Sequence, residues 1–214
     1  MELFREISQN GPFPNTVTYT SLINGMCQLG RLSVAQELFN EMSAHGLVPN
    51  MITCSTLLHG FCKHGNIYKA LGLFKVMQNS GLKPDIVHYS ILIDGLCKVG
   101  QLTVARGLFC GLSFKGLQPD VYTYNIMING LCKEGLVNEA YELFRKMEVN
   151  GCLPNDCSYN VLIRGFLQNN DISTAAKILP EMVSKGFSAD ISTATMFVDL
   201  LSSDTTGELI HKIV

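Results

Sequence analysis

Between residues 86 and 98, Tyr89, Leu92, Ile93, Leu96 and Cys97 fall at i, i+3, i+4, i+7 and i+8. That spacing puts all five on one face of a 3.6-residue helix. The stripe recurs 35 residues later as Tyr124, Met127, Ile128, Leu131 and Cys132, and opens the series as Tyr19, Leu22, Ile23, Met26 and Cys27. A second apolar stripe follows each first one: Leu102, Ala105, Leu108, Phe109 and Leu112, then Val137, Ala140, Leu143, Phe144 and Met147. The pattern predicts two amphipathic helices per 35 residues. Neither helix can bury its apolar face alone, so the fold class is all-α: a solenoid of helix-turn-helix hairpins whose core runs from repeat to repeat.

The punctuation agrees with the stripes. The phrases "GMCQLG", "GFCKHG", "GLCKVG" and "GLCKEG" begin at residues 25, 60, 95 and 130, with a decayed "GFLQNN" at 165. Their last glycine sits where a helix would end in a left-handed residue, and Asn170 takes its place in the fifth copy. Gly25, Gly60, Gly95, Gly130 and Gly165 fall in mid-helix, where glycine costs about 1 kcal/mol against alanine; repeating them predicts a close neighbour. Pro180 interrupts a second stripe and predicts a kink and a less stable C-terminal end. Asn50, Asp85, Asp120, Asn155 and Asp190 precede first helices and can cap them. Framed at Thr16, the repeats are 16–50, 51–85, 86–120, 121–155 and 156–190, with the C-terminal half of a preceding repeat at 1–15 and a partial repeat and tail at 191–214.

Composition narrows the functions. Net charge is −2 with 16 % charged residues, so no bulk basic field points to nucleic acid or an anionic membrane, and any such function must rest on local placement. No apolar run approaches the ~18 residues of a membrane span. The segment "MELFREISQNG" follows the repeat pattern and is read as neither signal nor transit peptide, which predicts either a fragment or a missing leader. There are eight cysteines but no C-x-x-C pair, and Cys27, Cys62, Cys97 and Cys132 share one repeat position, so buried reduced thiols are expected. His45, His59, His64, His88 and His211 share no ligand spacing; they are expected to be ordinary surface or partly buried residues, with no metal or cofactor.

The stretch "VTYTSLINGMCQLGRLSVAQELFNEMSAHGLVPN" resembles the pentatricopeptide repeat of plant organelle RNA-binding proteins, in the pure 35-residue form of restorer-of-fertility-like members. The elements "VTY", "LINGxC", "A-x-x-LF-x-x-M" and "G-L-x-P-N/D" recur in order, and a period of 35 argues against the 34-residue tetratricopeptide repeat. The resemblance implies a superhelix whose first helices line an RNA-binding surface, one base per repeat. It implies that the residue after the tyrosine position reads each base together with the Asn or Asp after the proline. The pairs are Thr20 with Asn50, Ser55 with Asp85, Ser90 with Asp120, Asn125 with Asn155, and Asn160 with Asp190. These short polar side chains are expected outside the apolar stripe.

The resemblance further assigns Val17, Ile52, Val87, Tyr122 and Cys157 to sandwiching the bases. Cys157 departs from the preferred valine, and Tyr122 adds a stacking face. Lys63, Lys98 and Lys133 take the positions expected near phosphates. The implied order of bases from first to fifth repeat, 5′ to 3′, is A, G, G, C or U, U. The expected partner is single-stranded organellar RNA, in mitochondria rather than chloroplasts, with no DNA and no membrane; a protein-interaction scaffold is the alternative. The resemblance implies binding rather than catalysis, and the zinc deaminase signature H-x-E with P-C-x-x-C is absent.

Overall fold

The computed structural model describes residues 14–203, which form helices and short connections. Thirteen of the fifteen residues of the half-repeat expected at 1–15, and the tail from 204 with His211, lie outside the described residues. Two compact units meet in sequence at Val99 and Gly100. The first holds α1 (Thr16–Gln28), α2 (Leu32–Ala44), α3 (Met51–Lys63), α4 (Ile67–Asn79) and α5 (Ile86–Lys98). The second holds α6 (Leu102–Gly111), α7 (Val121–Lys133), α8 (Val137–Val149), α9 (Asp156–Gln168), α10 (Ile172–Ser184) and α11 (Ile191–Ser203).

Each first helix starts at an Asn or Asp cap. Asn50 Oδ1 accepts the Thr53 N–H at 2.9 Å, Asp120 Oδ1 the Thr123 N–H at 2.8 Å and Asn155 Oδ1 the Ser158 N–H at 3.0 Å, satisfying one of the orphan donors of each N-terminus. The first helices end as the glycines imply. Gly30 takes φ +70°, and the Arg31 N–H reaches back to the Met26 carbonyl at 2.9 Å. Asn170, at φ 59°, performs the same turn, with the Asp171 N–H on the Phe166 carbonyl.

In the first unit α3 packs against α1, α2, α4 and α5; in the second α9 packs against α7, α8, α10 and α11. First helices therefore lie side by side, and the mid-helix glycines make this possible. A Cβ on Gly60 would stand 2.4 Å from Cys27 Sγ and 2.8 Å from its Cβ; on Gly95 it would meet Cys62, and on Gly165 it would meet Cys132. The cysteine of one repeat thus occupies the space vacated by the glycine of the next. Gly25 differs: nothing among the described residues lies within 4 Å of its Cβ position. Burial pushes the Cys62 and Cys132 thiols up to about 12, so both remain protonated packing groups. Cys54 and Cys97 are buried as well, whereas Cys152 is half-buried and Cys110 and Cys157 are exposed, so the buried-thiol expectation holds for only part of the set.

The second helices attach through Ala35, Ala70, Ala105, Ala140 and Ala175, all fully buried. Phe74 meets Tyr89 edge-on at 5.0 Å, and Phe109–Tyr124 and Phe144–Tyr159 repeat the contact. In the second repeat Cys54 holds the tyrosine position, and an apolar groove of about 220 Å³ opens there between Phe39, Leu73 and Met77. One second helix is irregular. α6 stops at Gly111 and tightens into a 3₁₀ turn over Ser113–Lys115; Gly107 and Gly111, whose Cβ positions meet nothing, weaken the helix there. α10 continues through Pro180 to Ser184, so the proline does not end the helix.

Candidate nucleic-acid interface

The five residues of the sandwich set stand in solvent. Val17 is 71 % exposed, Ile52 68 %, Val87 55 % and Tyr122 63 %, and Cys157 is also exposed. An apolar side chain held out of the core at one register of successive helices has no packing role, which leaves its face open to a planar ligand.

The polar residues expected to read bases divide. Thr20 and Ser55 are half-buried, but Ser90, Asn125 and Asn160 are 1 %, 8 % and 3 % exposed. All five lie beside the apolar stripe rather than in it, yet these three are buried. A first helix is enclosed by neighbours on several sides, so residues beside the stripe are covered too. The Ser90 hydroxyl donates to the Ile86 carbonyl at 2.8 Å; the Ser55 and Thr20 hydroxyls lie 2.8 and 2.7 Å from the Met51 and Thr16 carbonyls, and each shares its one proton between that carbonyl and a second neighbour, His88 Nε2 or Thr53 Oγ1. A hydroxyl whose proton is committed to its own helix presents lone pairs. Asn125 Oδ1 is buried with no hydrogen-bond partner among the described residues.

The Asn and Asp caps do not exhaust themselves in capping. Each turns Oδ1 onto the helix, and among the described residues no protein group takes the second terminal atom of Asn50, Asp85, Asp120 or Asn155. That atom is an amide donor on Asn50 and Asn155 and a carboxylate acceptor on Asp85 and Asp120. Capping and recognition are therefore compatible, one terminal atom for each. Asp190 differs, because Oδ1 accepts the Thr193 N–H at 2.8 Å and Oδ2 is held by Arg164 at 2.5 Å. Partial burial works against its ionisation, but the Thr193 and Arg164 bonds outweigh it and hold the carboxyl below the usual range. Its companion Asn160 is also engaged, donating to the Asp156 and Ser188 carbonyls and accepting the Asp190 N–H. The fifth pair is closed on itself.

Further polar side chains belong to the face. Thr53, His88, Thr123, Ser158 and Thr193 are buried at the third position of successive first helices. Thr53 Oγ1 bonds both Asn50 Oδ1, at 3.0 Å, and Thr20 Oγ1, at 2.8 Å, joining the two members of the first pair. His88 does the same for the second pair, so it is not the ordinary histidine expected from its spacing. These residues do not stand out in the stripes; their legible signal was the recurrence of Asn or Asp followed three positions later by Thr, Ser or His.

Lys63, Lys98 and Lys133 are exposed at the ends of α3, α5 and α7. Lys63 and Ser55 line one open groove of about 340 Å³ with Asn24, Gln28 and His59. Lys98 is paired with Asp94 of its own helix at 2.5 Å, whereas no carboxylate among the described residues pairs with Lys63 or Lys133. The described residues contain no cluster of three or more His, Cys, Asp or Glu that could hold a metal, and no helix long and apolar enough to cross a membrane.

Comparison with known proteins places this geometry. No curated protein matches the chain by sequence. The crystal structure of the pentatricopeptide repeat protein PPR10 in complex with an 18-nt psaJ RNA element superposes with a TM-score of 0.84 at 27 % identity; it covers 100 % of this chain, which spans 31 % of that one. PPR10 from maize gives 0.78 at 26 % identity, over 99 % of this chain and 30 % of that one. The PPR domain of Arabidopsis thaliana protein-only RNase P 1 in complex with tRNA shares the fold, with a TM-score of 0.66 at 17 % identity, covering 86 % of this chain and 96 % of that one. The family model matches residues 14–63, 49–98, 84–133, 119–168 and 156–203. An all-α array of capped helical hairpins, matched in sequence along its whole described length, belongs to the PPR repeat family.

Proposed function

We propose that the chain binds single-stranded RNA in a sequence-selective way, one base per repeat, and acts by occupancy on processing, stability or translation of an organellar transcript. The observation that carries the reading is the divided use of Asn50, Asp85, Asp120 and Asn155: one terminal atom caps a helix and the other is left for a ligand. An outward amide donor suits the acceptor nitrogen on the Watson–Crick edge of A or C, and an outward carboxylate suits the ring N–H of G or U. The order A, G, G, C over the first four repeats follows this rule where C is taken for the fourth; the closed Asp190 has no outward atom to which the rule applies. PPR10, at 27 % identity, is a solved relative bound to RNA, and the exposed Val17, Ile52, Val87 and Tyr122 supply faces for bases. The resemblance to restorer-of-fertility-like repeats supports a mitochondrial site of action. A protein partner is the second reading, favoured by the apolar groove at Phe39, Val48, Pro49 and Val76 on the second-helix side.

Asn155→Asp tests the first reading. Aspartate keeps the capping oxygen, so thermal stability stays unchanged, while the outward atom turns from donor to acceptor. The ratio of affinities for AGGCU and AGGUU shifts toward U by about fivefold, typical of one changed base contact. A general loss from the added negative charge cancels in that ratio. An unchanged ratio, with the fold intact and binding measurable, reduces Asn155 to a cap.

A further inference from the structure

Ser55 Oγ lies 2.6 Å from His88 Nε2, and His88 Nδ1 lies 2.6 Å from Asp85 Oδ1. The second pair of readers is thus joined by an imidazole, where the first pair is joined by the hydroxyl of Thr53. His88 is 3 % exposed, so its two nitrogens are committed to these neighbours. Its other close contact is the Asp85 backbone N–H, at 3.3 Å.

We propose that His88 is a positioning residue for base selection in the second repeat, and that its protonation lowers that repeat's preference for guanine over adenine. The inference rests on the RNA reading of Ser55 and Asp85 given above. The chemistry follows from counting protons. In the neutral ring bonded to the carboxylate, Nδ1 carries the proton and Nε2 is an acceptor, so the Ser55 hydroxyl turns its one proton from the Met51 carbonyl to Nε2 and keeps both lone pairs for a ligand. In the imidazolium, Nε2–H donates to Ser55 and occupies one of those lone pairs, while the positive ring offsets the Asp85 charge. Both changes weaken the pair as an acceptor. Guanine, which presents N–H donors on its Watson–Crick edge, loses more than adenine, whose ring nitrogen there is an acceptor.

The charged and titratable surroundings are few. Asp85 faces the ring directly, and its carboxyl is held below the usual range: partial burial opposes this, and the His88 hydrogen bond overrides it. On α3, Cys54, His59, Cys62 and Lys63 make no hydrogen bond or ion pair with His88 among the described residues, and neither do Tyr68, Lys69 and Lys75 on α4. Asp94 and Lys98 on α5 are paired with each other.

The test measures affinities of the whole chain for AGGCU and AAGCU at about pH 5.5 and about pH 8, beside His88→Thr, which places at this position the residue that Thr53 and Thr123 provide in other repeats. Wild type is expected to lose about fivefold in its G over A ratio at the lower pH, and the Thr variant, which keeps His45, His59 and His64, to hold a constant ratio. Ring-nitrogen NMR of the free protein gives a readout independent of RNA: Ser55→Ala is expected to move the His88 titration. A wild-type ratio that does not change with pH, in a chain that does select a purine there, overturns the proposal alone. A chain with no base preference at this repeat overturns the RNA reading and the proposal together. A His88 titration indifferent to Ser55→Ala overturns the relay itself, whether or not the Thr variant folds.

Discussion

Asp94 and Lys98 set two uses of one lysine against each other. The pair is an i, i+4 contact on an exposed helix face, with Lys98 half exposed, and such pairs contribute about 0.3–0.5 kcal/mol to a helix. A phosphate near the end of α5 would compete with Asp94 for the same ammonium. Asp94→Asn therefore releases Lys98 and removes a repelling charge: RNA binding is expected to tighten about threefold, with a salt slope steeper by about 0.7, the single-strand value per phosphate. Titration across a salt series checks both; unchanged affinity and slope would show that no phosphate comes near Lys98. The exposed apolar positions and the caps were legible because they repeat at fixed register. The closure of Asp190 by Arg164 was not: it joins residues 26 positions apart through a side chain with no counterpart in the other repeats, where Asn24, His59, Asp94 and Asn129 stand.

Among the elements, the first helices carry the specificity of the fold because they touch one another through glycine. Gly60 and Gly25 occupy the same repeat position with opposite surroundings. At Gly60 an added Cβ would meet the Cβ of Cys27 at 2.8 Å, a rigid atom next to backbone, whereas at Gly25 it would meet nothing among the described residues. Gly25→Ala is expected to stabilise by about 1 kcal/mol through helix propensity, and Gly60→Ala to destabilise by about 1–3 kcal/mol by overpacking. Chemical denaturation of the two variants decides; equal effects would mean that the α1–α3 contact yields without cost. Helix pairs, caps and breaks were readable from stripes and punctuation, and the repeated glycine pointed to close approach. Burial of Ser90, Asn125 and Asn160 was not readable, because a 3.6-residue stripe describes one buried face, while α3 or α9 is packed against four other helices. The same limit hid His88, which looks like an isolated histidine in sequence and becomes a bridge only when α5 is laid beside α3.

For the molecule as a whole, the strength of the proposed RNA binding is bounded by how little positive charge it brings. The chain carries 16 basic and 18 acidic residues, and the described residues commit several bases to ion pairs: Arg106 to Glu139, Arg145 to Glu181, Arg164 to Asp190 and Lys185 to Glu148. The recurrent positions near the expected RNA path offer only Lys63, Lys98 and Lys133, and Lys98 is shared with Asp94. Three phosphate contacts on a single strand give a slope of log affinity against log salt of about −2, shallow for a nucleic-acid complex. Base contacts must supply most of the selectivity, and the closed fifth pair removes one of them unless Arg164 lets go. The chain alone is therefore expected to bind a five-base target with a dissociation constant weaker than about a nanomolar near 0.15 M salt, with weak dependence on ionic strength and marked dependence on sequence at the first four bases. Fluorescence anisotropy over a salt series, with single-base substitutions at each position, measures all three quantities. A slope of about −5 or steeper would require basic side chains beyond these three on the RNA path, and indifference to the first four bases would leave the outward atoms of Asn50, Asp85, Asp120 and Asn155 without a part in recognition.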